Sequence, residues 1–231
     1  MGDKRKINLD SRQLAAIPAE VLQDRSLTSL SLYQNALTEL PDALWQLTHL
    51  ATLNVGDNQL EIIGDGIGQL QQLRMLDLGH NRLLFLPDAL GELAGLSDFL
   101  YLSDNRLSAL PDALGNLSQL MYLNVSDNQL AALHSRLGDM KALRELRLYR
   151  NRLTALPESI NGLARLRELH VQKNRLVSLP ESIGGLRELR ELDLEDNALT
   201  SLPTSLGGLA RLRRLNLRNN GLATLPSSLG K

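Results

Sequence analysis

The sequence predicts an α/β solenoid, a curved arc with a parallel β-sheet on its concave face and short helical or 3-10 returns on its convex face. Three features of the 231 residues support this: asparagine recurs every 23 residues with one interval of 24, an alternating apolar pair precedes each asparagine, and all eight prolines share one position of the repeat. The recurring asparagines are Asn35, Asn58, Asn81, Asn105, Asn128, Asn151, Asn174, Asn197 and Asn220. A fixed period of this length is typical of solenoids.

The segment before each asparagine alternates as a β-strand does. In the third unit, which contains Asn58, the apolar Leu53 and Val55 alternate with Asn54 and Gly56. Alternation of this kind puts the apolar side chains on one face of a strand. A single strand cannot bury that face alone, so parallel copies must stack around one continuous aliphatic core.

The asparagine follows the strand, where the chain turns inward and its backbone N–H and C=O groups lose their strand partners. Each unpaired buried group costs on the order of 1–3 kcal/mol. An asparagine side chain both donates and accepts hydrogen bonds, whereas leucine does neither and aspartate lacks the donor. We therefore expect the stacked asparagines to bond the turn backbones of their own unit and of the next one.

The second half of each unit starts at the proline and predicts a short return segment. An acidic residue often follows the proline, and Gly91, Gly115, Gly184 and Gly207 come later in four of the segments. Proline and an acid suit the first turn of a helix, and glycine suits its end. The segment has room for one turn of α- or 3-10 helix. Strands about 4.8 Å apart on one side and bulkier returns on the other bend the stack, with the strands inside.

Composition limits the possible functions. We assign residues 1–231 to a single repeat domain, with an irregular N-terminal unit over 1–26 and nine repeats over 27–231. A net charge of −1 argues against nucleic acid as the main partner. No apolar run approaches the 18 or so residues of a membrane span. The chain has no cysteine, which favours a reducing compartment, and we expect it in the cytoplasm.

No motif indicates catalysis or a cofactor. The chain lacks a cysteine nucleophile, a Gly-x-Ser-x-Gly sequence and a phosphate-binding loop, so we predict no enzymatic activity and no cofactor. The best metal candidate is one column of the repeat, formed by Asp57, His80, Asp104 and Asp127. It offers too few of the six or more oxygens that calcium prefers. We therefore predict no metal site.

On these residues the sequence resembles the leucine-rich repeat family. Its units follow Leu-x-x-Leu-x-Leu-x-x-Asn-x-Leu-x-x-Leu-Pro, and Leu179–Leu186 carries the Leu-Pro-x-x-Ile-Gly-x-Leu segment of the 23-residue form. This form is similar to the repeats of Ras-associated and scaffold proteins and of many bacterial proteins, including effectors of pathogens. The resemblance covers nearly the whole chain and implies binding of a macromolecule, usually a protein.

Both ends depart from the repeat. The first unit has Arg12 where asparagine is expected, and we interpret it as an irregular end strand whose Lys4, Arg5 and Lys6 blunt an exposed sheet edge. The last unit stays leucine-rich up to Lys231, although a solenoid needs a polar terminal face. We expect that the natural chain continues past Lys231. The alternatives are that a partner covers this end, or that a second copy covers it by end-to-end self-association.

Three departures lie inside the chain. Gly64 and His134 replace proline, which we interpret as tolerated variation. Trp45 stands where most units have glycine; we expect it to pack on the convex face, with an exposed second contact site as the alternative. The interval of 24 puts an extra residue in the segment Leu96–Leu100. We expect a bulge there that redirects side chains, with a harmless insertion as the alternative.

Aromatic residues gather on the concave face. Counting back from each asparagine assigns every tyrosine of the chain to an outward position: Tyr33, Tyr101, Tyr122 and Tyr149. Phe99 joins them if the extra residue is absorbed at Ser97 and Asp98. Phe99, Tyr101 and Tyr122 come from adjacent units and should form one aromatic patch. Tyrosine is a preferred interface residue, although it also suits a β-sheet surface without a partner.

Charge on this face is segregated along the arc. Acidic residues occupy units three to six and return in the ninth: Asp57, Asp77, Asp104 and Asp127, then Asp193, Glu195 and Asp196. Basic residues occupy the next two units: Arg147, Arg150, Arg152, Lys173 and Arg175, with Tyr149 and His170 among them. This pattern suits an oppositely patterned protein, and a solvated face without a partner is the alternative. We interpret the neighbouring Arg144, Arg167 and Arg190 and Glu145, Glu168 and Glu191 as a structural ion-pair ladder.

The leading hypothesis is a protein-interaction module, such as a scaffold in signal transduction, that binds a protein on the concave strand face. Its predicted binding residues are Tyr33, Asp77, Phe99, Tyr101, Tyr122, Arg147, Tyr149, Arg150, His170, Lys173 and Asp193. The alternative is the substrate-recognition domain of a larger enzyme, of the kinase, GTPase or ubiquitin ligase type, that continues past Lys231. That alternative includes a bacterial effector delivered into a host cytoplasm. The irregular first unit and the interval of 24 disfavour a designed consensus protein.

Overall fold

The computed structural model describes residues 5–230 and contains one parallel sheet of ten strands, in which each strand pairs with the next along the chain. The strands are β1 (Arg5–Asn8), β2 (Leu27–Ser31), β3 (Thr52–Asn54), β4 (Met75–Asp77), β5 (Phe99–Tyr101), β6 (Tyr122–Asn124), β7 (Glu145–Arg147), β8 (Glu168–His170), β9 (Glu191–Asp193) and β10 (Arg214–Asn216). Every return segment is helical, as the proline column predicts, and lies on the convex side. The predicted solenoid is confirmed.

The return helices are short. The first is an α-helix, α1 (Ala19–Gln23), and the others are 3-10 helices: Asp42–Gln46, Asp65–Gln69, Asp88–Glu92, Asp112–Asn116, Ser135–Asp139, Glu158–Gly162, Glu181–Gly185, Thr204–Gly208 and Ser227–Gly230. In most units the proline is the residue that precedes the helix, and its backbone is extended, as at Pro111 with φ −66° and ψ 142°. Gly64 and His134 adopt the same extended backbone, with ψ values of 154° and 156°. The proline position therefore needs this backbone rather than proline itself, which agrees with the interpretation of tolerated variation.

The inward residues form one aliphatic core. The alternating pairs of β2 through β9, from Leu30 and Leu32 to Leu192 and Leu194, are fully buried. Leu215 and Leu217 of the last described strand are only partly buried, since no strand follows theirs among the described residues. Burial of apolar surface at this density is the main stabilising term of the fold.

The recurring asparagines bond the turn backbone as expected, but they reach the preceding unit rather than the next. Asn128 donates to the carbonyls of Val125 and Ser126 in its own unit, at 3.2 and 3.0 Å. It also donates to the carbonyl of Leu102 in the preceding unit at 2.9 Å, and its Oδ1 accepts the N–H of Leu107 at 2.9 Å.

The direction has a physical reason. The N–H of Leu102 donates to the following strand, so its carbonyl faces that unit as well. The N–H that would meet this carbonyl belongs to Ser126, and it donates instead to the side chain of Asn124. The carbonyl of Leu102 is therefore free to accept the hydrogen bond from the side chain of Asn128.

The first strand is irregular, as predicted. Its register against β2 shifts between Arg5 and Lys6. Arg12 cannot take the asparagine's role, and Asn35 of the second unit accepts the N–H groups of both Arg12 and Leu14 at 3.0 Å. Lys4, which the sequence assigns to the same charged edge, lies outside the described residues.

Glycine serves the return helices by its small size and not as a helix terminator. None of the described glycines has a positive φ, and Gly91, Gly115 and Gly138 lie inside their 3-10 helices. A Cβ at Gly138 would lie 2.1 Å from the carbonyl oxygen of Ser159 in the next helix. The prediction that Gly91 and Gly115 end their helices is wrong, because close contact between stacked helices is what requires glycine at this position.

Trp45 occupies the glycine position of its unit and is only 2% exposed. The next unit has Gly66 facing it, where a Cβ would lie 2.1 Å from the Trp45 ring. The indole therefore packs against Gly66, and the other units have a larger residue at the position of Gly66. Its burial rules out the alternative of a second contact site at Trp45.

Gly138→Ala should destabilise the protein by about 2–4 kcal/mol, because the added methyl group meets a backbone oxygen that cannot move independently. Gly208→Ala is the matched control, since its nearest atom, the carbonyl oxygen of Gly184, would lie 3.4 Å from the new Cβ. That variant should be neutral or slightly more stable. Urea unfolding followed by circular dichroism measures both changes, and equal midpoints would contradict the packing argument.

Candidate functional site on the concave face

The strand register sorts the outward side chains into rows that run along the arc. The central row is Asp77, Tyr101, Asn124, Arg147, His170 and Asp193. The row before it is Met75, Phe99, Tyr122, Glu145, Glu168 and Glu191. The second residues after the ends of β2 to β7 form a third row of Tyr33, Gly56, Gly79, Ser103, Ser126 and Tyr149. Parallel strands lie about 4.8 Å apart, which sets the spacing within each row.

The extra residue is absorbed just before β5, at Ser97 and Asp98. In a regular unit one residue bonds both neighbours, as Arg144 does. Here Asp98 donates its N–H to the carbonyl of Arg74 at 2.9 Å, while the carbonyl of Ser97 accepts the N–H of Met121 at 2.9 Å. Two residues thus make the two backbone hydrogen bonds that one residue makes in a regular unit, as in a bulge. Phe99 therefore enters β5 in register with its neighbours.

Phe99, Tyr101 and Tyr122 form the predicted aromatic patch. The ring centroids of Phe99 and Tyr101 are 5.9 Å apart with the rings stacked at 14°. Tyr122 lies 5.5 Å from Phe99 and 5.1 Å from Tyr101, with tilted rings. Phe99 is 43% exposed, so the patch offers open apolar surface to solvent. Aromatic contacts of this geometry hold the patch in one arrangement.

Arg147 joins the patch to the basic part of the face. Its guanidinium lies 5.7 Å from the centroid of the Tyr122 ring and donates to Glu145 at 2.6 Å. Burial raises the pKa of Tyr122 to about 12, with the charge of Arg147 opposing the rise and that of Glu145 adding to it. Burial also raises the pKa of Tyr101, to which the charge of Asp77 contributes. Both tyrosines therefore stay neutral hydrogen-bond donors at physiological pH.

Asp77 borders the patch on its acidic side. It is half-buried, and burial is the main cause that raises the pKa of its carboxyl group, while the hydrogen bond from the N–H of Gly79 opposes the shift. Its register partner in β5 is Tyr101. A partly desolvated carboxylate beside a phenol is well placed to accept a charged or polar donor from a partner.

Tyr33 and Tyr149 lie apart from the patch, just beyond the ends of β2 and β7. The row that they share has only small residues between them, Gly56, Gly79, Ser103 and Ser126. This row adds little side-chain bulk beside the patch. The predicted binding residues do not include these small residues, although they occupy one position of the repeat in consecutive units.

The acidic and basic parts of the face meet between units six and seven. Arg150 donates to Asp127 at 3.1 Å across this boundary, and His80 contacts Asp104 at 2.8 Å. These two contacts involve His80, Asp104 and Asp127, which are three of the four residues of the best metal candidate in the sequence. Arg150 and Lys173 occupy turn positions with φ of 52° and 58°, a left-handed backbone that sets their side chains at the end of the strands.

His170 and Asp193 complete the central row next to Arg147. His170 lies 3.4 Å from Glu168, and the side chain of Asp193 accepts the N–H of Glu195 at 3.1 Å. Glu145, Glu168 and His170 could offer ligand atoms within 4.8 Å of one another to a metal ion. The guanidinium of Arg147 already bonds Glu145, so this cluster suits a cationic side chain better than a metal ion.

The predicted arginine–glutamate ladder does not form. Across residues 5–230, Glu145 pairs with Arg147, Glu168 with His170 and Glu191 with Arg214. The glutamates lie in the same row as Tyr122, and two of them contact side chains of the neighbouring central row. The predicted arginine partners instead precede the strands. The prediction assumed that neighbours in sequence pair, but alternation along the strand separates their side chains.

Comparison with known proteins agrees with this architecture. Sequence patterns of the family match the chain as a leucine-rich repeat region over residues 59–175 and as leucine rich repeats over residues 5–60 and 164–222. The chain therefore belongs to the leucine-rich repeat family, a typical protein- or peptide-binding module, and the resemblance seen in the sequence is confirmed. Neither pattern describes a catalytic domain. No curated protein matches the chain.

Solved structures resemble the whole arc. A leucine-rich repeat protein of Leptospira interrogans is 30% identical with a TM-score of 0.91, over 99% of this chain and 64% of that one. The ectodomain of the Arabidopsis thaliana receptor kinase GASSHO1/SCHENGEN3, in complex with CASPARIAN STRIP INTEGRITY FACTOR 2, is 32% identical with a TM-score of 0.82, over 94% and 27%. The plant peptide hormone receptor RGFR1, in complex with RGF2, is 27% identical with a TM-score of 0.64, over 93% and 44%. The chain thus spans less than two thirds of each of these proteins.

Over the described part of the chain, no helix has the length and apolar character needed to cross a membrane.

The phenol of Tyr122 should ionise at a pKa of about 12. In the unfolded chain a tyrosine ionises near pH 10. The contribution of Tyr122 to stability is therefore full below about pH 10 and is lost as the pH rises toward 12. Ultraviolet absorbance of phenolate, followed during an alkaline titration, measures this, and Tyr122→Phe should remove the latest phase. Persistence of that phase in Tyr122→Phe would contradict the assignment of the raised pKa to Tyr122.

Proposed function

We propose that the concave face binds an extended segment of a protein partner, centred on Phe99, Tyr101 and Tyr122. The observation that carries the proposal is the exposed aromatic patch beside the junction of the acidic and basic parts of the face. Large, stiff aromatic side chains dominate the free energy of many protein interfaces. The other predicted residues, from Tyr33 to Asp193, provide the surrounding contacts.

The dimensions of the face favour an extended segment. Tyr33 and Tyr149 are five strands apart, or roughly 24 Å at about 4.8 Å per strand. An extended chain rises about 3.3 Å per residue, so roughly seven residues span this distance. The small residues between the two tyrosines leave space for the backbone of such a segment. The segment would run along the arc and across the strands.

The charges give the segment a direction. Arg147, Arg150 and Lys173 suit acidic side chains at one end of the segment, and Asp57 and Asp77 suit basic side chains at the other. The reversed orientation would bring like charges together. Charge complementarity of this kind fixes the orientation of docking and raises the rate of association more than it raises affinity.

The comparisons support the proposal at the level of class. The plant ectodomain and the plant peptide hormone receptor are each seen in complex with a partner, and the chain resembles both over most of its length.

A second candidate is a recognition domain within a longer polypeptide, such as a larger enzyme or a delivered effector. It is favoured by the comparison with solved relatives, which extend beyond the part that this chain matches. Both candidates assign the binding to the same face. For either one, the cysteine-free composition favours the cytoplasm or a host cytoplasm as the compartment.

Selection of a random-peptide display library on the immobilised chain tests the proposal. A selected peptide, measured by fluorescence anisotropy, should bind Tyr101→Ala/Tyr122→Ala at least about tenfold more weakly, since the variant removes two aromatic anchors. Arg147→Glu/Arg150→Glu should weaken binding of acidic peptides by a similar factor, and added salt should shrink that effect.

Phe85→Ala is the matched control, because Phe85 is an aromatic residue that is 56% exposed but lies off the strands, between β4 and the next 3-10 helix. It should leave the affinity unchanged. Circular dichroism checks that each variant keeps its fold. Recovery of no peptide, or of peptides that bind both concave-face variants as tightly as the original chain, would contradict the proposal.

A further inference from the structure

Four arginines form a column at the edge where the strands begin. The column consists of Arg144, Arg167, Arg190 and Arg213, one in each of units seven to ten. Their backbones are joined directly: the N–H of each of the last three donates to the carbonyl of the arginine before it at 2.7–2.8 Å. The column is therefore rigidly spaced, at about 4.8 Å per unit.

These arginines lack the partners expected of a structural role. Within residues 5–230, none of the four takes part in an ion pair, whereas Arg74 at the same position of an earlier unit pairs with Asp98 at 3.1 Å. Like charges one strand apart repel each other. A column of four unpaired arginines thus costs stability, and an anionic partner would offset this cost.

The surroundings extend the positive surface. Arg165 lies beside Arg144 and Arg167 around a surface groove of about 430 Å³, in which Glu188 is the acidic residue. Arg211 lies beside Arg190 and Arg213 around a second groove of about 350 Å³. Arg211 is paired with Glu188. Both grooves are open at the edge of the sheet and can admit a carboxylate.

The charge distribution of the whole chain points the same way. Residues 140–231 contain sixteen Lys and Arg against nine Asp and Glu, whereas residues 1–139 contain nine against seventeen. The net charge of −1 is therefore the sum of a basic C-terminal part and an acidic N-terminal part whose charges nearly cancel. A surface of one sign concentrates ligands of the opposite sign.

We propose that this arginine column is a second binding surface, separate from the concave face, and that it takes a short acidic segment of a polypeptide, rich in Asp and Glu. Arginine suits the role because its planar guanidinium bonds a carboxylate through two parallel hydrogen bonds. The surface does not rest on the proposed function of the concave face, since it contains none of those residues.

Two observations favour a polypeptide over a nucleic acid. The column spans three intervals, or roughly 14 Å, which matches about four extended residues. Tyr149 is the only aromatic residue in 140–231 and lies past the other end of its strand, so the column offers no ring for base stacking.

Fluorescence anisotropy with a labelled hexaglutamate peptide at low ionic strength tests the proposal. The chain should bind the peptide, and Arg144→Gln/Arg167→Gln/Arg190→Gln should bind it at least about tenfold more weakly, because three charge-assisted contacts are lost. The control Arg25→Gln/Arg82→Gln/Arg106→Gln removes the same charge from exposed arginines outside the column and should keep the affinity within about twofold.

Three results would overturn the proposal: no binding of hexaglutamate by the original chain, an equal loss in the control, or tighter binding of a six-residue oligothymidylate that depends on the same arginines. Thermal unfolding adds an independent readout. Because the column is repulsive, the Gln variant should unfold at the same temperature or a higher one. A lower unfolding temperature would show that these arginines stabilise the fold, and it would overturn the proposal as well.

Discussion

The hydrogen bonds of the stacked asparagines hold consecutive units together at the point where the sheet ends. Each of these side chains occupies two carbonyls of its own turn, a carbonyl of the preceding unit and an N–H of that unit, as Asn128 does. The residue before each asparagine has a φ of 52–58°, a backbone that costs non-glycine residues about 1–2 kcal/mol. The asparagine bonds on either side hold the chain in that conformation, so the tight turn that lets strands stack depends on them.

The functional surface follows from this constraint. Because each turn is fixed, the strands stack in register and like positions fall into rows. The aromatic patch exists because Phe99 and Tyr122 share a row and Tyr101 lies in the next one. The same register leaves Arg144, Arg167 and Arg190 in a column that forms no ion pair with any described residue, while the glutamates that follow them join the concave face. One repeated hydrogen-bond pattern thus decides which side chains meet.

Much of this arrangement can be read from the sequence, because the asparagine gives each residue a position in the repeat. Counting from it correctly joins Phe99, Tyr101 and Tyr122 and absorbs the extra residue at Ser97 and Asp98. Counting positions from the asparagine does not predict contacts that depend on distances between units. The close approach at Gly138, the burial of Trp45 against Gly66 and the loss of the arginine–glutamate ladder all depend on how neighbouring units pack, which a position within one unit does not specify. Whether the predicted residues bind a partner stays a prediction.

Native-state hydrogen exchange followed by NMR tests most directly whether the asparagine bonds hold the units together. The amides that donate to asparagine Oδ1 atoms are those of Leu60, Leu83, Leu107 and Leu130. They should be as strongly protected as the amide of Val125, which directly follows β6 and donates to the carbonyl of Arg147 in the next unit. Exchange of these four amides as fast as that of a turn amide such as Ala94 would contradict the account, because the strand hydrogen bonds and apolar packing would then hold the units together without the asparagine bonds.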